Sequence, residues 1–233
     1  MKKIGLNYLL MAVFVISAAL TSCDKNKEDD TDIGGGGNGG GSGNSFTIKA
    51  DNIRNSISSI ATAYAYVGGE EDGKVLASTK YQNDSFSLTL PNSVDNKYLI
   101  SVADWMDDGF DEGWISNNNA KMAIVYLFAW DNDKEWIGEF WHDAVNDNDT
   151  KSVGVYYLYI DREVTLKGEK ETENGHIFSI DCSFTKGWNT MYDVETTMNN
   201  GKWHYEKTTQ KPTGVAWYWY FSNWSKIPEN KRF

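Results

Sequence analysis

Three carboxylates alternate along the segment from Asp131 to Glu135, and this spacing comes nearest to a catalytic pattern in the chain. Every second side chain of a β-strand lies on the same face, so a strand here would gather the three acids. Some retaining glycosidases use such an alternation, with one carboxylate as nucleophile and another as general acid and base. The intervening positions in those sites are apolar, whereas here they are Asn132 and Lys134. The segment is therefore predicted as a solvated hairpin loop between Trp130 and Trp136.

The other bases and nucleophiles form no recognisable catalytic set. His142, His176 and His204 lack the spacing of metal ligands, and the sequence contains no Gly-x-Ser-x-Gly elbow. Cys182 has no Cys/His signature around it and is predicted to be a small buried thiol. We therefore expect no enzymatic activity, and an unassigned glycoside hydrolase remains an alternative without a positive signal.

Two acidic loops could supply oxygen ligands to calcium, which takes about six to eight of them. Neither loop has the spacing of an EF-hand, so solvated acidic loops are the simpler interpretation. No cofactor is expected, and calcium is the one alternative. The first loop contains Asp104, Asp107, Asp108, Asp111 and Glu112, and the second contains Asp143, Asn146, Asp147 and Asp149.

Aromatic residues are the second unusual feature, with ten Trp and thirteen Tyr in the chain. In the run from Trp217 to Phe221, alternation would place the tryptophans and the phenylalanine on one face of a strand and the two tyrosines on the other. Indole rings can stack on the apolar CH faces of sugars, and the alternative is a core built from large aromatics. Tryptophans flanked by polar or turn residues are the better candidates for a glycan platform. These are Trp105, Trp114, Trp188 and Trp224.

Most of the chain after about residue 45 has the short alternating pattern of β-strands. The runs are 60–67, 74–81, 85–90, 98–105, 122–130, 136–142, 153–160, 164–167, 177–184, 190–198, 202–208 and 215–221. Asn200-Gly201 predicts a hairpin, since both residues tolerate positive φ. The one helical candidate is 52–60. Residues 45–233 are therefore predicted to form an all-β, antiparallel β-sandwich, either as one unit or as two packed sub-domains with a boundary near 115–120.

One part of this region, within residues 60–100, resembles a known architecture. It contains Asp72-Gly73-Lys74-Val75-Leu76-Ala77, then Asn83-Asp84-Ser85-Phe86-Ser87-Leu88-Thr89-Leu90-Pro91, then Tyr98-Leu99-Ile100. This pattern resembles the transthyretin-like sandwich of carboxypeptidase regulatory domains, in which a turn precedes a strand of the form Phe-x-Leu-x-Leu-Pro. Asp84 stands where that family usually has glycine. The resemblance implies a sandwich fold and no particular function.

The beginning of the chain carries a targeting signal. Lys2 and Lys3 precede an apolar stretch from Leu9 to Leu20, which is too short for a stable span because about 18 or more apolar residues are needed. The sequence Leu20-Thr21-Ser22-Cys23 resembles the lipobox of bacterial lipoproteins, which implies cleavage of residues 1–22 and acylation of Cys23. An ordinary secretory signal with a chance cysteine is the alternative.

Residues 23–44 are polar and then almost pure glycine, so they are predicted to form a disordered tether. Glu28, Asp29 and Asp30 resemble the acidic surface-export signal of Bacteroidetes-type lipoproteins. In other bacteria an aspartate directly after the cysteine, like Asp24 here, would indicate retention at the inner membrane. We favour the outer surface.

The charge balance excludes some partners. Residues 1–22 contain two lysines and no acid, so their removal leaves 20 basic against 33 acidic residues, a net charge of −13. Nucleic acids and anionic lipid headgroups are therefore disfavoured, because binding to both depends on Lys and Arg.

Taken together, the sequence predicts a lipid-anchored protein of the outer membrane, exposed at the cell surface, that binds a glycan or a partner protein. Its contact with the membrane is expected through the lipid on Cys23. The rival interpretation is a structural or accessory subunit of an outer-membrane uptake complex or surface assembly.

Overall fold

The computed structural model of the protein describes residues 45–68, 73–106 and 112–223. Its strands are β1 (Thr47–Ala50), β2 (Thr62–Val67), β3 (Lys74–Lys80), β4 (Phe86–Thr89), β5 (Ile100–Ser101), β6 (Lys121–Trp130), β7 (Trp136–Val145), β8 (Lys151–Ile160), β9 (Val164–Glu171), β10 (Ile177–Phe184), β11 (Gly187–Thr197), β12 (Trp203–Thr208) and β13 (Ala216–Asn223). The helical elements in these ranges are α1 (Val102–Met106) and the 3-10 turns Asn96–Tyr98 and Glu112–Trp114. None of these helices has the length and apolar character needed to span a bilayer. The signal, the tether and Cys23 lie outside the described residues.

The strands form two sheets, which confirms the all-β sandwich. β1 and β4 make a small antiparallel sheet, and the other eleven strands of the described ranges make a large one in the order β3-β2-β6-β7-β8-β11-β12-β10-β9. β5 is added beside β6, and β13 beside β7. The large sheet is mixed, because β12 inserts between β11 and β10 and runs parallel to β10.

The inner face of the large sheet, defined as the face that packs against β1 and β4, carries the main core. Its positions in β2 are the small residues Ala63, Ala65 and Val67, all fully buried. The small sheet contributes Ile48 and Leu88, which are also buried. Small side chains on one sheet allow the apolar side chains of the other to interdigitate at close range.

The outer face, on the opposite side of the large sheet, has a second core under α1. Val102 and Met106 lie one helical turn apart and are buried together with Cys182 of β10. The predicted strand over residues 98–105 is wrong after β5. Residues 102–106 form α1 instead, because one helical turn places Val102 and Met106 on the same side, facing the sheet. The buried thiol predicted at Cys182 is confirmed, and burial raises the pKa of Cys182 to about 12.

The predicted helix over residues 52–60 is also wrong, because the segment forms turns. Asn52 and Asn55 have φ values of 53° and 57°, in the left-handed region that interrupts a right-handed helix. The backbone of Arg54 instead donates one hydrogen bond to β13 and accepts another from it, each 2.9 Å long. The segment therefore covers the edge of β13 that does not pair with β7.

Both turn predictions are confirmed. The carboxylate of Asp131 accepts hydrogen bonds from the backbone N–H groups of Asp133 and Glu135, at 2.9 and 3.0 Å, within the loop between β6 and β7. The three acids therefore do not alternate along a strand. Gly201, at a φ of 73°, turns the chain between β11 and β12.

Three strands meet at a junction within the large sheet. β6 pairs with β7 at its C-terminal end and with β8 at its N-terminal end, whereas β7 pairs with β8 only at residues 143–145. Between these ladders, residues 126–127, 140–142 and 155–156 have no strand partner on that edge. The other edge of β7 is paired with β13 from Gly138 to Val145. The junction thus places side chains from four strands around one point of the sheet.

Candidate ligand-binding face

Polar and aromatic side chains surround the junction on the outer face. Glu139, Trp141 and Asp143 alternate along β7 and therefore share that face. Tyr220 of β13 lies opposite Trp141 in the ladder, so its side chain is on the same side. We call this set the acidic-aromatic patch, and its members are Tyr126, Glu139, Trp141, Asp143, Tyr156 and Tyr220.

Asp143 is a carboxyl group largely removed from water. Burial raises the pKa of Asp143 to about 6, although a hydrogen bond with the Tyr220 hydroxyl favours the ionised form. Burial, together with the negative charge of Asp143, in turn raises the pKa of Tyr220 above its ordinary value. Tyr220 therefore stays protonated and orients one carboxylate oxygen.

Glu139 is the second partly buried carboxyl group, and it lies beside tyrosine rings. Burial raises the pKa of Glu139 to about 7. Burial and the charge of Glu139 also raise the pKa of Tyr126. At neutral pH the Glu139 carboxyl is thus present in both forms and can donate or accept a hydrogen bond.

Gly154 leaves a gap between two acids on neighbouring strands. It lies in β8, in register with Asp143 of β7 on one side and Asp193 of β11 on the other. A Cβ atom at Gly154 would meet only the Tyr156 ring at 3.6 Å and Asp143 Oδ1 at 3.9 Å. The floor of the patch is therefore open at this point.

The far side of this gap is closed by an ion pair. Lys207 Nζ lies 2.5 Å from the carboxylate of Asp193 and 5.8 Å from the centre of the Trp105 ring. Trp105 itself is half-buried in the outer core. Trp105, one of the tryptophans predicted to bind a ligand, therefore lies at the border of the patch, next to the Lys207–Asp193 ion pair.

The other predicted tryptophans lie elsewhere. Trp114 is half-buried on the outer face over Gly168, where a Cβ atom would approach its ring to 1.8 Å. Trp188 packs against the inner core and donates a hydrogen bond of 2.6 Å from Nε1 to the carbonyl of Pro91. Trp224 lies outside the described residues. The structure therefore does not bring Trp188 together with Trp105 and Trp114.

Exposure distinguishes the two faces. Among the described residues, the large apolar side chains that are exposed are Val75, Ile100, Trp136 and Trp141. Trp141 belongs to the patch and is 36 % exposed. Trp136 is 39 % exposed and stacks on Phe128, whose ladder partner is Glu139. Both exposed indoles therefore lie on the outer face, next to the partly buried carboxyls.

The residues proposed for calcium do not assemble in the described ranges. Asp104 is exposed on α1, Glu112 begins a 3-10 turn, and Asp107, Asp108 and Asp111 lie outside those ranges. Where the structure describes the chain, no three or more His, Cys, Asp or Glu side chains form a group that could hold a metal ion. In the second acidic loop, the side chain of Asn146 caps the turn by accepting a hydrogen bond of 2.9 Å from the N–H of Thr150.

In the sequence, Asp143 is only a calcium candidate, and no pattern singles out Glu139. The signal that could have found the patch is the alternation Glu139-x-Trp141-x-Asp143 in a strand, combined with the tyrosines of the run 217–221. Comparison of the chain with protein-family models, curated proteins and solved structures gave no match.

Proposed function

We propose that the protein is a binding module and that the acidic-aromatic patch holds a glycan. The observation that carries this proposal is the exposed indole of Trp141, flanked on the same face by the carboxyls of Glu139 and Asp143. An indole stacks on the CH face of a sugar, while carboxyl and tyrosine oxygens hydrogen-bond to its hydroxyl groups. The patch offers both kinds of contact within one short strand segment.

A glycan fits this surface better than a protein partner does. Protein interfaces are anchored by Trp, Tyr and Arg side chains, and the centre of such an interface is depleted of Asp and Glu. In the described ranges, the large aliphatic side chains that are exposed are Val75 and Ile100, which share the outer face but belong to β3 and β5. The patch instead surrounds its exposed indole with two carboxyl groups and tyrosine hydroxyls.

The surroundings of the acids favour binding over hydrolysis. Glycoside hydrolases need two carboxyls about 5 to 9.5 Å apart that flank the scissile bond. Along β7, Glu139 and Asp143 are separated by Trp141, whose exposed ring lies on the same face. The remaining acid across Gly154 is Asp193, and its carboxylate is paired with Lys207. We therefore keep glycoside hydrolysis as the weaker alternative.

The test of glycan binding uses Trp141→Ala. Screening the folded domain against a glycan array, followed by fluorescence titration of the best ligand, should give a wild-type affinity that falls at least about tenfold in this variant, or about 1.4 kcal/mol. The matched control is Trp188→Phe, which removes the bond to Pro91 on the inner face. It should lose about 1 kcal/mol of stability and keep its affinity.

An array without any binder would contradict the glycan proposal. The structural alternative has one supporting observation, since β3 ends the large sheet and strand edges can pair with another chain. Co-purification of a membrane partner that is unaffected by Trp141→Ala would favour that alternative.

We further propose that the protein is held at the outer membrane, exposed at the cell surface, by acylation of Cys23. The support is the lipobox-like sequence at residues 20–23 and the polar, glycine-rich segment that follows. Cells grown with a labelled fatty acid should label the wild-type chain but not Cys23→Ala. Label retained in the variant would contradict acylation at this residue, and protease treatment of intact cells would separate the surface from the periplasmic side.

A further inference from the structure

We propose that the glycan bound by the acidic-aromatic patch carries a protonated amino group, as a hexosamine without its N-acetyl group does. This inference rests on the proposed glycan-binding function and specifies the chemical class of the ligand. It follows from the charges around the patch, from their existing partners, and from the space next to Asp143.

The acids of the patch have no cationic partner among the described residues. The ion pairs in these ranges join Arg162 to Asp161, Lys167 to Asp181 and Lys207 to Asp193. Glu139 and Asp143 take part in none of them, and both are only partly exposed to water. A partly buried carboxylate without a cation is costly, so a ligand that brings a positive charge gains more here than a neutral one.

The basic side chains near the patch lie at its edges. Lys207 is paired with Asp193, and the exposed guanidinium of Arg54 lies 4.4 Å from the centre of the Tyr218 ring. Further acid comes from Glu195, which lies near Asp193 on β11. A uronic acid or sulfated sugar would therefore meet negative charge in the patch, with Arg54 beside Tyr218 as the base that could offset it.

The aromatic groups favour the same ligand. The rings of Tyr126, Tyr156 and Tyr220 come from three strands around the carboxyls, and Trp141 lies between the two acids on β7. An ammonium group is attracted to the face of an aromatic ring, most strongly where water is excluded. The exposed indole thus serves both the sugar ring and its amine.

The gap above Gly154 is the place for the amine. The nearest atoms to a Cβ there are the Tyr156 ring and Asp143 Oδ1, at 3.6 and 3.9 Å. An ammonium in this gap can donate to Asp143, whose other contact is the Tyr220 hydroxyl. Glu139 lies two positions further along the same face of β7, on the other side of Trp141, and its ionised form adds a second negative charge. Asp143 is therefore the principal contact of the amine.

The experiment compares three oligosaccharides of equal length by calorimetric titration at pH 6.5 and low salt. They are an oligomer of glucosamine, its N-acetylated form and a uronic acid oligomer. We expect the amine form to bind at least tenfold more tightly than the N-acetylated form, and the uronic acid oligomer to bind most weakly. Asp143→Asn should reduce the preference for the amine to less than threefold. The control Asp147→Asn, which removes the same charge from an exposed turn, should keep the preference.

The outcomes separate the two proposals. Equal binding of the amine and N-acetylated oligomers would overturn the inference about the amine and leave the glycan-binding function in place. Tighter binding of the uronic acid oligomer would also overturn it. If no oligosaccharide binds and a lysine-rich peptide does, both the glycan function and this inference are wrong. Thermal unfolding of Asp143→Asn confirms that the variant is folded before its affinities are compared.

Discussion

Gly138→Ala should lower the free energy of unfolding by about 3 kcal/mol or more, near the upper end for an overpacked site. Gly138 lies in β7 at the point where β6 and β13 flank it on opposite edges. A Cβ atom at this position would come within 2.1 Å of the backbone oxygen of Ser222 and within 2.6 Å of the Phe221 ring. Because a backbone atom cannot move aside cheaply, β13 would have to separate from β7.

The measurement is chemical denaturation of the purified domain, followed by tryptophan fluorescence. Gly154→Ala is the matched control, because it makes the same change in the adjacent strand with contacts of 3.6 Å or longer. The control should keep its stability or gain up to about 1 kcal/mol, since alanine restricts the unfolded chain more than glycine does. Equal stability of the two variants would mean that β13 does not approach β7 as closely as the structure describes.

Glu139→Gln should stabilise the domain by about 2 to 3 kcal/mol at pH 8 and by little at pH 4. Burial raises the pKa of Glu139 from 4.5 to about 7, so the folded state binds a proton more strongly than the unfolded state does. Its contribution to stability is therefore present below pH 4.5 and is lost as the pH rises to 7, at about 1.4 kcal/mol for each unit of pKa. Glutamine keeps the shape of the side chain and removes the ionisation.

Two neighbouring groups also titrate in this pH range. Both are present in the wild type and in the variant, so their contributions cancel in the comparison. Burial raises the pKa of Asp143 to about 6, which gives the same sign as Glu139. Burial, and then the charge of Lys211, lower the pKa of His142 to about 4, so its contribution is present above pH 6.5 and is lost as the pH falls to 4. The variant should therefore differ from the wild type only in the alkaline limb of the profile.

Denaturation midpoints measured from pH 4 to pH 8 would test this. Glu135→Gln, in the exposed loop between β6 and β7, is the control and should change stability by less than about 0.5 kcal/mol at every pH. A Glu139→Gln variant that is less stable than the wild type at pH 8 would show that the carboxylate has a stabilising partner.

Local alternation was sufficient to predict much of the fold. The run from Trp217 to Phe221 separates as expected, since Trp219 and Phe221 are buried in the inner core while Tyr220 lies on the outer face with Asp143. The strands and the Gly201 hairpin follow from the same short-range rules. These rules involve neighbours in sequence, which a single chain displays directly.

The acidic-aromatic patch could not be predicted in the same way. It exists because β13 pairs with β7 across about 70 residues of chain and because β6, β7 and β8 meet at one junction. Of the three alternating acids, Asp131 closes the loop between β6 and β7 with its carboxylate, and Asp133 and Glu135 lie exposed in that loop. The strand predicted over residues 98–105 is wrong from residue 102 onward, because the alternation there is too short to distinguish a strand from one helical turn.

The position of β12 has a consequence for the route by which the chain folds. The strand position between β11 and β10 is filled only when residues 203–208 have been synthesised. The pairing of β7 with β13 is complete only at residue 223. Sheets with such distant pairings fold slowly, because loop closure must be completed before the contacts are gained. The large sheet can therefore be completed only after residue 223 has been synthesised.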